Sequence, residues 1–466
     1  MRRFFACLAA FLIPVIASAQ RSPNVIIIMT DDQGYNDVGC YGSPDIKTPR
    51  LDKLASEGVR FTDFYSSAPV CSPSRAGLLT GCYPQRVSIG RIPAERTNHP
   101  FEHVFYSKSK YGLNTNEVTI AQVIKTRGYA TGCVGKWHLG DATEFLPTHR
   151  GFDEYFGMPY SNDSKPDCII RGDKVIEQHT NQDTLVERYT DEATKFIRAH
   201  KDEPFFLYFA HNAPHTPLHI SKKFQGKSER GLYGDVVQAI DWSVGQVLDT
   251  LAELKLDENT LVIFTSDNGP WYIRGEDGGM ATPLRSGKGT TYDGGMRVPC
   301  IMRWPGHIPP GSVCRDVACN IDFAPTVAAI AGATMPSDRI IDGKDIRPLM
   351  ESQANAKTPH DPFLYYADGR LMAVRSGKWK LRFPSVLQDE LHYGKLEQPD
   401  APLPQALYNL SNDPGEQKNV AADHADIVAR LTKLADAARD DLGDQNKNIK
   451  GKNVRPLGVS DNPPKP

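Results

Sequence analysis

The chain alternates short, unbroken apolar runs with longer segments of helical period. The first run, Asn24-Val25-Ile26-Ile27-Ile28-Met29, stops at Thr30-Asp31-Asp32. A β-branched run of this length suits a strand buried on both faces, as in a parallel sheet. Tyr129 to Val134, Pro204 to Ala210 and Thr260 to Thr265 repeat the pattern, the last ending at Ser266-Asp267-Asn268-Gly269. Helical patterns lie between them, around 49–58, 118–128, 184–200 and 234–254. This alternation predicts an α/β fold with helices on both faces of the sheet.

The pattern changes near Thr358. Leu371 to Phe383 reads as two short strands joined at Ser376-Gly377, followed by Ala406 to Leu410 and a helix from about Ile427 to Asp441. We therefore expect a large α/β domain over 20–357 and a smaller α+β domain with an antiparallel sheet over 358–442. From Gly443 to Pro466 the chain is polar and rich in Gly and Pro, which predicts a mobile tail. The segments 89–116 and 141–174 read as loops that shape a pocket.

The N-terminus adds a destination. Arg2-Arg3, an apolar stretch from Phe4 to Ile16 and Ala17-Ser18-Ala19 have the anatomy of a secretory signal peptide over 1–19. The apolar stretch is too short for a comfortable transmembrane anchor. The twin arginines leave the general and the twin-arginine export routes both open. Either route predicts a periplasmic or secreted protein, with no stable membrane insertion elsewhere.

Composition narrows the classes further. With 40% hydrophobic residues in 466 and a formal net charge of −2, the chain can build a large core and lacks the basic excess of a nucleic-acid binder. Setting aside Cys7 in the signal and Cys71, discussed below, leaves an odd number of the nine cysteines, so at least one stays free or pairs between chains. Cys314 and Cys319 are near enough in sequence to consider a bridge. No Cys-x-x-Cys occurs, which argues against structural zinc.

Two apolar runs end in hard oxygen ligands, Asp31-Asp32 and Asp267-Asn268. Sites of open α/β sheets lie beyond the carboxyl ends of strands, so the two pairs are placed to share a Ca²⁺ or Mg²⁺. Turn chemistry explains either pair alone. The segment Pro69-Val70-Cys71-Ser72-Pro73-Ser74-Arg75-Ala76-Gly77-Leu78-Leu79-Thr80-Gly81 reads locally as a helix start, with Pro73 in the first turn and Cys71 near the positive end of the dipole.

That segment also resembles the signature of the type I sulfatases, in which Cys-x-Pro-x-Arg directs oxidation of the cysteine to formylglycine. Gly128-Tyr129-Ala130-Thr131-Gly132-Cys133-Val134-Gly135-Lys136-Trp137-His138-Leu139-Gly140 looks like the second signature of the family. The likeness continues through Thr265 to Gly269, Ser286 to Gly295, Leu407 to Leu410 and Asp413 to Glu416. The broad resemblance is to the branch of arylsulfatase A and N-acetylgalactosamine-6-sulfatase.

The resemblance implies an alkaline-phosphatase-like fold and sulfate monoester hydrolysis by a formylglycine diol at residue 71, installed by a separate maturation enzyme. It implies one Ca²⁺ per site on Asp31, Asp32, Asp267, Asn268 and modified Cys71. Arg75 would hold the hydrated aldehyde, and Lys136 and Lys288 would neutralise sulfate. His138 would take the diol proton, facing the same way as Lys136 on an extended segment. His215 would protonate the leaving alcohol, with His211 as the competing candidate. A sulfated sugar or glycan is the expected substrate, with aryl sulfates as surrogates. Two other readings stay open: a phosphonate or phosphate monoester hydrolase, and a binder of sulfated glycans whose Cys71 stays a thiol.

Overall fold

The structure is a computed structural model that describes residues 21–95, 101–165, 167–385 and 403–462. The signal segment expected over 1–19 lies outside them. A ten-stranded mixed sheet forms the frame. Its order is Lys174–Gln178, Cys168–Arg171, Glu154–Gly157, Ala130–Gly135, Phe205–Ala210, Asn24–Thr30, Thr260–Ser266, Cys300–Arg303, Val59–Phe61, Ser312–Cys314. The five strands from Glu154–Gly157 to Thr260–Ser266 run parallel, and all four apolar runs fall among them.

Alternate side chains of these strands feed two cores. Val25, Ile27 and Met29 join one with Ala76, Leu78, Ile120, Ile124 and Val327, from helices Cys71–Thr80, Ile120–Lys125 and Phe323–Ile330. Ile26 and Ile28 join the other with Leu51, Leu54, Ala193, Ile197, Val244 and Val247, from helices Pro49–Ser56, Leu185–Ala199 and Gly231–Glu253. Burial on both faces explains why the runs have no polar break.

A second sheet, Phe363–Ala367, Arg370–Ser376, Trp379–Arg382 and Ala406–Asn409, is antiparallel throughout. Leu431, Ala435 and Leu442 of helix Ala425–Leu442 pack on it, in a core that also takes in Tyr65, Met296 and Ile321. Three expectations are corrected. The segment 141–174 is not only loop, because it supplies the strands Glu154–Gly157 and Cys168–Arg171. The tail from Gly443 is not mobile over its described part, since Gly458–Val459 pairs antiparallel with Tyr111–Gly112 and Arg455 pairs with Glu117. Main-chain pairing needs no apolar side chains, which is why composition misjudged it. Cys314 and Cys319 are not bridged, and no disulfide joins the other described cysteines. They lie on strands that pair with different partners, Val59–Phe61 and Phe64–Tyr65.

Candidate active site

Sheet register assembles the site. Thr30 pairs with Ser266, so Asp31 and Asp267 leave adjacent parallel strands side by side, and Asp267 N donates to Thr30 O at 3.1 Å. Ala210 is in register with both Met29 and Gly135, which brings Lys136 to the same sheet edge. The backbone turns sharply at Asp32, which has φ 66°.

Helix Cys71–Thr80 presents its N-terminus to these strand ends and closes at Gly81, whose φ of 71° is the left-handed cap that glycine favours. Every residue of the helix is buried. Asn320 pins it in place: its Oδ1 accepts from Ser67 N, and its Nδ2 donates to Ser74 O and Oγ.

Cys71 Sγ lies 3.3 Å from Asp31 Oδ1 and 3.9 Å from Asp32 Oδ1. Burial, then Asp267 and Asp31, push the thiol well above its ordinary range. Arg75, four residues on, donates Nε and Nη2 to Asp267 Oδ2 at 3.0 and 2.8 Å, and Nη1 to Lys136 O at 3.1 Å. Lys136 Nζ donates to Asp31 Oδ2, and Lys288 Nζ donates to Asp32 Oδ2 at 2.7 Å. Burial alone would raise Asp31, but Lys136, His215 and Arg75 outweigh it and hold the carboxylate well below its usual range. Asp267 moves the other way, raised by burial and by the Asp31 charge.

His215 Nε2 is 3.6 Å from Asp32 Oδ2, and its ring centroid is 5.3 Å from that of Trp271. Burial and Lys288 lower its proton affinity. His211 sits elsewhere: it is fully buried beside Phe209, with Nε2 3.2 Å from Ser243 Oγ. The extended geometry expected around His138 is absent, because its φ is 63°. The turn instead points Nε2 to Phe105 O at 2.9 Å. A carbonyl oxygen only accepts, so Nε2 carries the hydrogen and Nδ1 keeps its lone pair. That Nδ1 has no partner within the protein.

All ten residues expected in the site thus surround one point at the strand ends. Sequence reasoning missed Asn320, Phe105, Ser72, Trp271 and Gln33. Ser72 Oγ accepts from Phe105 N at 3.0 Å, tying the His138 partner to the residue beside Cys71. Gln33, next to the Asp pair, keeps both side-chain polar atoms buried without a partner. Its position after Asp31-Asp32 was a signal; Asn320 and Phe105 carried none.

The arrangement could hold a metal ion. Ligand atoms of Asp31, Asp32, Cys71 and His215 lie within 4.8 Å of one another, and Asn268 Oδ1 is a buried carbonyl with no hydrogen-bond donor. Three carboxylates face three cations, so a dication would leave the site positive and suited to an anionic substrate.

Residues 23–333 match the sulfatase family, and residues 287–441 match the C-terminal part of N-sulphoglucosamine sulphohydrolase. Arylsulfatase A of Homo sapiens is 39% identical over 440 residues, covering 86% of this chain and 83% of that one. N-acetylgalactosamine-6-sulfatase of Canis lupus familiaris is 36% identical over 455 residues, covering 89% and 85%. A solved structure from a Bacteroides thetaiotaomicron locus for metabolism of multiple glycosaminoglycans superposes with a TM-score of 0.78 at 28% identity, over 90% of this chain and 99% of that one. The chain belongs to the sulfatase family and is a sulfuric ester hydrolase.

Proposed function

We propose that the enzyme cleaves sulfate monoesters of a sulfated sugar or glycan with a formylglycine diol at residue 71. The observation that carries this reading is the place of Cys71. Its side chain sits at a helix N-terminus, in contact with the carboxylates of Asp31 and Asp32, within the Cys71-x-Pro73-x-Arg75 motif. A protonated thiol has no evident use there, whereas an oxygen nucleophile does.

Asp31, Asp32, Asp267 and Asn268 would hold Ca²⁺ with an oxygen on residue 71. The ion would supply Lewis acidity toward the nucleophile and a sulfate oxygen. One hydroxyl of hydrated residue 71 gives its proton to the Asp267 carboxylate as it attacks sulfur, and the bond from sulfur to the alcohol oxygen breaks. His215 gives that oxygen its proton. His138 Nδ1 then takes the proton of the second hydroxyl, the bond from residue 71 to sulfate breaks, and the aldehyde returns. Lys136 and Lys288 balance the charge on the transferred group. Arg75 acts through Asp267 and Asp31, which it fixes beside residue 71.

The names of the relatives favour a sugar as the alcohol: one is an N-acetylgalactosamine-6-sulfatase, and the solved neighbour belongs to glycosaminoglycan metabolism. The signal anatomy of residues 1–19 supports export. Among the described residues no helix is long and apolar enough to cross a membrane. Turnover of a panel of sulfated mono- and disaccharides, beside a phosphonate and a phosphate monoester, tests the reading. Preference for a sugar sulfate supports it; preference for the phosphonate overturns it.

A further inference from the structure

Three main-chain segments stack beside the His138 turn. Gly458–Val459 pairs with Tyr111–Gly112, and Ser460 N donates to Lys110 O at 2.7 Å. Asn114 Nδ2 donates back to Pro456 O at 3.1 Å, and Arg455 holds Glu117 through Nε and Nη2 at 2.7 and 2.9 Å. The next residue inward, Leu113, donates its N–H to Leu139 O at 2.9 Å, one residue after His138. Glycines make the stack possible. A Cβ on Gly140 would lie 2.9 Å from Gly112 Cα, and a Cβ on Gly458 would lie 2.6 Å from Gly112 O.

Earlier on the same stretch of chain lies Phe105, whose carbonyl orients His138 and whose N–H donates to Ser72 Oγ. His138 holds a positive φ, a conformation that persists in a non-glycine residue only when its surroundings fix it. We propose that the strand Gly458–Val459 is a strap that fixes the His138 turn from outside, so that Gly458 is a positioning residue for the step His138 serves. This rests on the reading of His138 as the acceptor of the diol proton. The strap touches no reacting atom; it sets the place of Nδ1 by clamping the segment between itself and the turn.

Gly458→Val in the full chain pries the strand off, because its β-carbon would press on Gly112 O. The strap predicts a kcat lower by about 10- to 100-fold with KM nearly unchanged, the scale of a small misplacement of a catalytic group. It also predicts sulfated residue 71 accumulating in intact-mass spectra and faster hydrogen exchange at the Leu113 amide. Val459→Thr should behave as wild type, because Val459 is 57% exposed and pairs only through its main chain. A chain ending at Arg455, which keeps the Glu117 pair, is the second variant and should repeat the Gly458→Val result. Wild-type kcat in both, or a lower kcat with no sulfated enzyme where His138→Ala does accumulate it, overturns the strap. If His138→Ala itself accumulates none, the reading of His138 falls. The strap is then decided by Leu113 exchange and kcat together, and no change in either variant overturns it.

Discussion

Two buried clusters of charge lie in this molecule, and they are built alike in composition but not in satisfaction. At the strand ends, Asp31, Asp32 and Asp267 meet Arg75, Lys136 and Lys288. Between the two sheets, Asp293 and Glu416 meet Lys380 at 2.9 and 2.8 Å, all fully buried, with Tyr65, Tyr365 and Arg297 closing on Asp293. Asp293 N also donates to Glu416 Oε2, so the second cluster is knitted by the main chain as well, and Glu416 Oε1, which makes no hydrogen bond, is held in the Lys380 ion pair. The first leaves His138 Nδ1, His215 Nδ1, Asn268 Oδ1 and the Gln33 amide without partners. Buried charge alone therefore does not mark chemistry. Unspent donors and acceptors around it do, since such groups are costly unless something binds them.

If that contrast is right, the clusters should fail in opposite ways. The largest effects belong to the histidines. His138→Ala and His215→Ala should each lower turnover of a sulfated sugar by about 10²–10⁴-fold while the protein stays folded. Only His215→Ala should recover on nitrophenyl sulfate, whose phenolate leaves without help, and only His138→Ala should trap sulfate on residue 71. Equal losses for His215→Ala on both substrates, with chemistry rate-limiting, would remove its assignment. Asn268→Ala should cost about 10²-fold or more by weakening the hold on the cation. Chelation should do the same, and elemental analysis should find calcium in wild type and less in the variant. Stoichiometric zinc in active enzyme, without calcium or magnesium, would contradict the donor set.

Lys380→Met should reverse the pattern. It strands two buried carboxylates and should destabilise by about 3–5 kcal/mol in denaturant titration, while turnover per folded molecule holds. A fall in turnover matching that at the strand ends would erase the distinction. The smallest effect is a pH dependence. Burial pushes Glu416 up to about 7 despite Lys380, from an ordinary value of 4.5. A carboxyl with a raised folded value stabilises fully below its unfolded value and loses that contribution as pH rises through the folded one. Stability should thus decline between about pH 4.5 and 7, and Glu416→Gln should flatten that decline in melts across the range.

Much of this was legible because it depends on period and on local motifs. The four central strands show as unbroken runs because helices cover both faces, and Asp31 and Asp267 follow from where those runs stop, whereas Lys136 came only with the family signature. His215 could be preferred over His211 because His211 directly continues a buried strand. The strap was not legible, since Gly458–Val459 is held by main-chain hydrogen bonds that any polar sequence can make. The strands Glu154–Gly157 and Cys168–Arg171 are only four residues each, too short for a periodic signal. Asn320 acts across the fold on Ser67 and Ser74, a contact no spacing announces.

The measurement that bears most directly on the central claim is the mass of the peptide carrying residue 71, taken from active enzyme alongside its turnover. The account predicts an aldehyde, lighter than cysteine, in a fraction that tracks activity across preparations, and a loss on the order of 10⁴-fold or more in a folded Cys71→Ala variant. Wild-type turnover from protein that is wholly thiol at residue 71, or from Cys71→Ala, would contradict it.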